Sequence, residues 1–318
     1  MKSPRFIHIL SVLALLLVSP ASLCAEALKL IVPTAAGGGT DGYFRVLAKE
    51  AEAFLNEPVV VMNVPGAGGT IGVAQMVRAS PDGQTVAGVW LGPVTVSPNT
   101  MKVPYTPHDY IPVIQVSSAP YVICVHNEFP ATDGKSFIAE LKQHPDRYTY
   151  GNDGLGGPGQ LATARILRAT GTSARDVPFK GAGETLTAFL GGHVDIYVGS
   201  IPPILQHVQA GKAKCVLLTS ADRIASLPSA SSLTDLGIPN EETILWRALI
   251  APKGTSPEHV AKLESAFEKA SNSPAARKFL EDAGEQTVIR KGAALRSYID
   301  AEYDAMGKMA KVLNLAPQ

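Results

Sequence analysis

The sequence predicts an α/β protein of two domains, and three observations carry that prediction. Short apolar runs alternate with stretches in which apolar residues recur every three or four positions, the pattern of parallel strands joined by helices. A strand, a glycine-rich loop and a helix start occur together twice, at residues 31–41 and again at 148–167. The length of 318 residues exceeds one ordinary domain and can bury a large core.

Residues 1–27 stand apart from the fold. Lys2 and Arg5 precede an apolar stretch from Ile9 to Val18, followed by Pro20 and small residues, the three-part pattern of a secretory signal peptide. Ala25-Glu26-Ala27 offers cleavage after Ala25 or Ala27. Cys24 would suit a lipoprotein, but Leu23 stands where a lipobox takes Gly, Ala or Ser, so soluble export is expected. No later segment has the run of about eighteen apolar residues that a membrane span requires. The 28 basic and 28 acidic residues cancel, so there is no electrostatic footprint for nucleic acid.

The first α/β unit reads as strand 28–33, helix 41–55, strand 58–62, helix 70–79 and strand 85–90. Between its first strand and helix lies Thr34-Ala35-Ala36-Gly37-Gly38-Gly39-Thr40-Asp41, with Thr40 or Asp41 as the natural N-cap. Glycines let backbone approach a ligand closely, and the unpaired N–H groups of a first helical turn favour an anion. This outlines a carboxylate or phosphate cradle. Gly37 to Gly42 also satisfies G-x-G-x-x-G, but a dinucleotide site wants an acid at the end of the next strand, and here that strand ends at Asn63. A loop without any ligand is the bland alternative. Pro65-Gly66-Ala67-Gly68-Gly69-Thr70 makes a second glycine-rich helix entrance, positioned to share a crevice with the first.

Residues 91–118 are punctuated by Pro93, Pro98, Pro104, Pro107 and Pro112 and read as a long excursion ending in a strand, Ile111 to Val116. A second α/β unit follows: a strand 121–125, helix 135–143, strand 148–150, helix 158–170, strand 175–178, helix 182–190, strand 194–198, helix 202–210 and a strand 215–219. Its glycine loop is Gly151-Asn152-Asp153-Gly154-Leu155-Gly156-Gly157, and Pro158 suits the first helical position. Two such loops facing one cleft would grip a small anion from both sides. The chain closes with strand 244–250 and helices near 257–271, 274–282 and 292–313.

Catalytic constellations are missing. There is no G-x-S-x-G elbow, and the histidines after the leader, at 108, 126, 144, 193, 207 and 259, never fall at helical zinc spacing. Gly134-Lys135-Ser136 mimics the end of a phosphate loop, but Phe129 stands where the first glycine belongs. An exported hydrolase with a scattered triad is the enzymatic alternative. No metal and no cofactor is expected. Cys124 and Cys215 sit in apolar strands; export permits a disulfide, but sequence cannot place the thiols within reach, and buried free thiols are the expectation.

Taken together, Val32-Pro33, Gly37-Gly38, Thr40-Asp41, Pro58 to Val61, Asn63, Pro65 to Gly69, Ile71-Gly72 and Pro81-Asp82-Gly83 resemble the substrate-binding receptors of tripartite tricarboxylate transporters, the Bug family. The likeness continues through Tyr150-Gly151, Pro178 to Gly181, Leu190 to Gly192, Val194-Asp195, Leu218 to Ser220, Arg223, Trp246, Ala251-Pro252, Gly254-Thr255 and Pro257. It implies a type II periplasmic binding-protein fold, two α/β domains joined by crossover strands with a ligand cleft between them. The domains would be 28–122 with 221–318, and 123–220, the crossovers lying near Tyr121 to Val125 and Cys215 to Thr219. It also implies a monomeric periplasmic receptor that binds a small carboxylate and delivers it to membrane permease subunits. The same cleft would serve a sensor that signals to a membrane partner.

By the resemblance, the ligand-binding residues are Ala36, Gly37, Gly38, Gly39, Thr40 and Asp41 from the first loop and Asn152, Gly154, Gly156 and Gly157 from the second. Four positions depart from the family pattern. Thr34 stands where an aromatic is usual, Asp153 where a small neutral residue is usual, Gly157 in place of a common Ser, and Gly199 where an Asp is expected. Asp153 adds negative charge beside the supposed anion site, so a second bare carboxylate is not expected there. Trp90 and Trp246 are cleft candidates near strand ends, with core packing the commoner use of a lone Trp. Arg247 matches a carboxylate bidentately, although a solvated surface Arg is the commoner case.

Overall fold

The computed structural model describes residues 27–152, 154–179, 181–315 and 317. Residues 1–26 of the expected signal peptide and Asp153 lie outside the described residues. The chain begins with β1 (Leu28–Val32), α1 (Gly39–Leu55), β2 (Val59–Asn63), α2 (Thr70–Val77) and β3 (Thr85–Trp90). The order β2-β1-β3 is parallel throughout, because each connection is a helical crossover. In α1 the residues at helical spacing, Tyr43, Phe44, Leu47, Ala51 and Leu55, are the buried ones. They pack with Leu28, Leu30, Val113 and Phe267 into one core of the first sheet.

The excursion after β3 holds more structure than the sequence suggested. Gly92–Val96 forms a π-helical turn that runs into the short helix α3 (Ser97–Thr100). Then β4 (Tyr110–Pro120) crosses to the second sheet, and β5 (Val122–His126) begins it. There follow α4 (Gly134–Gln143), β6 (Thr149–Asn152), α5 (Pro158–Thr170), β7 (Arg175–Pro178), α6 (Ala182–Leu190), β8 (Ile196–Gly199), α7 (Ile201–Gln209) and β9 (Ala213–Leu218). The return strand β10 (Ile244–Pro252) leads to α8 (Pro257–Ser271), α9 (Pro274–Asp282), the two-residue β11 (Arg290–Lys291) and α10 (Gly292–Val312). The first sheet is ordered β11-β4-β10-β3-β1-β2 and the second β7-β6-β8-β5-β9.

Strand direction decides how the sheets meet. Pro120, the last residue of β4, is followed after one residue by Val122, which pairs antiparallel with Gly199 at the end of β8. The crossing therefore joins the edge where β1, β2 and β3 end to the edge where β6, β7 and β8 end. The loops that follow those strands face one another. Thr219 fastens this crossing: its hydroxyl accepts from the Tyr121 N–H at 2.8 Å and donates to the Thr243 carbonyl at 2.6 Å.

Three expectations are corrected here. Cys124 and Cys215 form a disulfide rather than free thiols, since the antiparallel pairing of β5 with β9 sets them directly opposite. Residues 221–238, assigned to the first domain, send Leu227 and Ala230 into one core of the second sheet and Leu233, Leu236 and Ile238 into the other. The backbone there bonds β9 through Leu218 and Ser231. Trp246 is fully buried, its indole N–H bonded to Glu302, which makes it a core residue rather than a cleft one.

Candidate functional site

The first glycine loop is set by a braced carboxylate. The N-cap of α1 is Gly38, not Thr40 or Asp41, and no side chain caps the helix. Asp41, in the first turn, instead folds back to accept from the Gly37 N–H at 2.8 Å, from Arg45 Nε at 3.0 Å and from Asn63 Nδ2 at 2.8 Å. Asn63 also donates to the Thr34 carbonyl at 3.1 Å and accepts from Arg45 at 2.6 Å. Burial pushes the Asp41 carboxyl up, but the bonds from Arg45, Gly37 and Asn63 outweigh it and hold the group below the ordinary carboxylate range. Asp41 thus spends its oxygens shaping the loop. Among the described residues, the N–H groups of Gly38, Gly39 and Thr40 keep no protein acceptor, as a helix start requires.

Arg247 lies beneath this helix start. It is buried, forms a two-bond ion pair with Glu285, and donates through Nε to the Thr40 hydroxyl at 3.1 Å. A further bond runs to the Ser117 hydroxyl at 3.2 Å. Neither a solvated Arg nor a free carboxylate receiver, it is a neutralised support for Thr40.

Trp90 ends β3 at the same edge and is half-buried. Its indole lies against Gly69 and Gly92, where a Cβ would come within 2.8 and 2.4 Å of the ring. Glycine at both positions lets the ring lie flat on backbone. Thr34, Ala36, Gly37, Gly38 and Gly39 occupy the rim of the first loop and are exposed or half-exposed.

The second glycine loop is also braced. Asn152 is fully buried and accepts the Gly154 N–H at 2.9 Å, while Gln160 accepts the Gly156 N–H at 2.6 Å. The amides of both donate to Asp176. Gly157 caps α5 without a side chain. The loop reaches the first domain, for a Cβ on Gly156 would lie 3.1 Å from Thr100. At Gly199 a Cβ would collide with the Tyr197 hydroxyl at 2.3 Å; the phenol, which donates to the Ser200 carbonyl, fills the place of the Asp expected there.

Side-chain capping differs among the helices. α4, α8 and α9 are capped by Asp133, Ser256 and Ser273 side chains. α1, α2, α5, α6 and α7, which begin at the facing edges, have no side-chain cap bond.

The family model described as "Tripartite tricarboxylate transporter family receptor" matches residues 43–315. The chain belongs to that family. Among curated relatives of this receptor, the UPF0065 protein of the gbd 5′ region of Cupriavidus necator is 35% identical over 80% of this chain and 77% of its own. Protein BugT of Bordetella pertussis is 30% identical over 90% of this chain and 88% of its own. Among solved structures, a periplasmic transporter superposes with a TM-score of 0.80 at 32% identity, covering 93% of this receptor and 99% of that chain. A Rhodopseudomonas palustris protein with adipate gives 0.78 at 26% identity over 92% and 99%. MatC of Rhodopseudomonas palustris with bound malate gives 0.75 at 26% identity over 90% and 99%. The type II periplasmic binding-protein architecture expected from the sequence is thereby shown. Family and fold are those of solute-binding receptors, not of enzymes. Among the described residues, no helix of the receptor is long and apolar enough to cross a membrane.

Asp41-x-x-x-Arg45 was legible as a helical i, i+4 ion pair. Nothing local marks Asn63, Gln160, Asp176, Tyr197 or Glu285 as site supports, because each acts on a residue remote in sequence.

Proposed function

We propose that this chain is a periplasmic receptor that takes a small organic acid into the cleft between its two sheets and, as a monomer, hands it to the permease subunits of a tripartite tricarboxylate transporter. The observation that carries this reading is the cradle of free N–H groups at Gly38, Gly39 and Thr40, opposite a second glycine loop. Bound malate and adipate in two structures of the same fold support a carboxylate as the ligand. Thr34, Ala36, Gly37, Gly38, Gly39 and Thr40 contact the carboxylate side, with Asp41 shaping their loop. Gly154, Gly156 and Gly157 border the ligand from the second domain, on the loop that Asn152 braces, and Trp90 supplies an aromatic wall. Residues 1–27 direct export and are removed. The segregation of strands into two sheets supports two domains, and 221–238 go with the second.

The test is thermal denaturation of the protein from Leu28 onward, stripped by unfolding and refolding, against mono-, di- and tricarboxylates, amino acids and aromatic acids. A ligand at a hundred times its Kd stabilises by about 2.7 kcal/mol. One chemical class should raise Tm by several degrees. A folded protein silent to every acid would end the carboxylate reading.

A further inference from the structure

The two facing loops differ in what their own carboxylates leave for a ligand. Around the first loop Asp41 is neutralised by Arg45 at 3.0 Å, accepts from the Asn63 amide, and of the loop's backbone donors takes the Gly37 N–H, so three adjacent donors stay open. In the second loop three donors turn inward: Gly154 N–H to Asn152, Gly156 N–H to Gln160, and Gly157 N–H to the Gly154 carbonyl at 3.0 Å. Gln160, in the first turn of α5, ties that helix start to the Asp176 carboxylate. Among the described residues no cation pairs with Asp176. Burial pushes its carboxyl up despite bonds from Gln160, Tyr150 and Asn152. Asp176, on the exposed edge strand β7, is thereby linked through Gln160 to the start of α5, and a second carboxylate arriving beside it meets like charge.

Resting on the carboxylate-receptor reading, we propose that recognition is polarised. The ligand is held by one carboxylate on the first loop and presents an uncharged portion to the second, with Asp176 and Gln160 as positioning residues that exclude a second carboxylate. Trp90, seated on Gly69 and Gly92, suits an uncharged ligand body.

Isothermal titration with matched pairs tests this: butanoate and succinate, hexanoate and adipate, benzoate and terephthalate. The monocarboxylate of the pair that fits should bind at least tenfold more tightly than its dicarboxylate. Asp176→Asn keeps an acceptor but removes the charge, and should narrow that gap at least fivefold. Should it fail to fold, Gln160→Met, which frees the Gly156 N–H, should shift the ratio the same way. Equal or tighter binding of the dicarboxylate overturns the polarity, as does a variant that weakens both members equally. Lys180 lies outside the described residues, so a dicarboxylate preference abolished by Lys180→Met would also overturn it. Silence to both members of every pair would sink the carboxylate reading itself.

Discussion

Replacing Glu285 with Leu should strand a buried charge and cost the receptor much of its stability. The Arg247 and Glu285 side chains are only 4% and 3% exposed, so water cannot take over for the lost carboxylate. Arg247 would keep its bonds to Thr40 and Ser117, both to neutral hydroxyls. Removing one partner of a buried pair costs about 3–5 kcal/mol, whereas replacing both by apolar residues is often near neutral. Glu285→Leu should therefore lose about 3–5 kcal/mol, and Arg247→Met with Glu285→Leu should recover all but about 1 kcal/mol of it. Urea unfolding followed by tryptophan fluorescence reads this directly, since Trp246 adjoins Arg247 and is fully buried. A loss below about 1 kcal/mol for Glu285→Leu, or a double variant no better than the single, would refute the reasoning.

Asp41→Ala removes the acceptor for Gly37, Arg45 and Asn63; ligand affinity should fall more than tenfold, with stability lowered by about 1–3 kcal/mol, as titration and urea unfolding will show. Reducing the Cys124–Cys215 disulfide, whose partners are 91 residues apart, should destabilise the second domain by about 3–5 kcal/mol, read as a lower urea midpoint with reductant. Burial pushes the Glu302 carboxyl up to about 7 from 4.5, against bonds from Trp246 and Thr95. The folded state then holds its proton longer than the unfolded one, so stability is greatest below pH 4.5 for this group and falls as pH rises through the window to about 7. The loss approaches about 3 kcal/mol; a Glu302→Gln variant should lack this slope in unfolding measured from pH 5 to 8.

Local rules determined a large part of this protein. Runs such as Leu28 to Val32 and the spacing of Tyr43, Phe44, Leu47 and Ala51 fix strand and helix because each periodicity buries one face only. The glycine loops could be located for the same reason: a strand cannot enter a helix within a few residues without them. The tertiary structure alone decided what those loops can bind. Whether Asp41 faces a ligand or braces its own loop depends on Asn63 and Arg45. Whether the second loop offers its N–H groups depends on Gln160 and on Asp176 from the neighbouring strand. Cys124 meets Cys215 only because a register shift between Ile123 and Cys124 in the β5–β9 pairing sets them opposite, and Gly199 lacks a side chain because Tyr197 already fills that volume. Hydrogen bonds and excluded volume act across space, so the donors left open at Gly38, Gly39 and Thr40 became visible only in the folded chain.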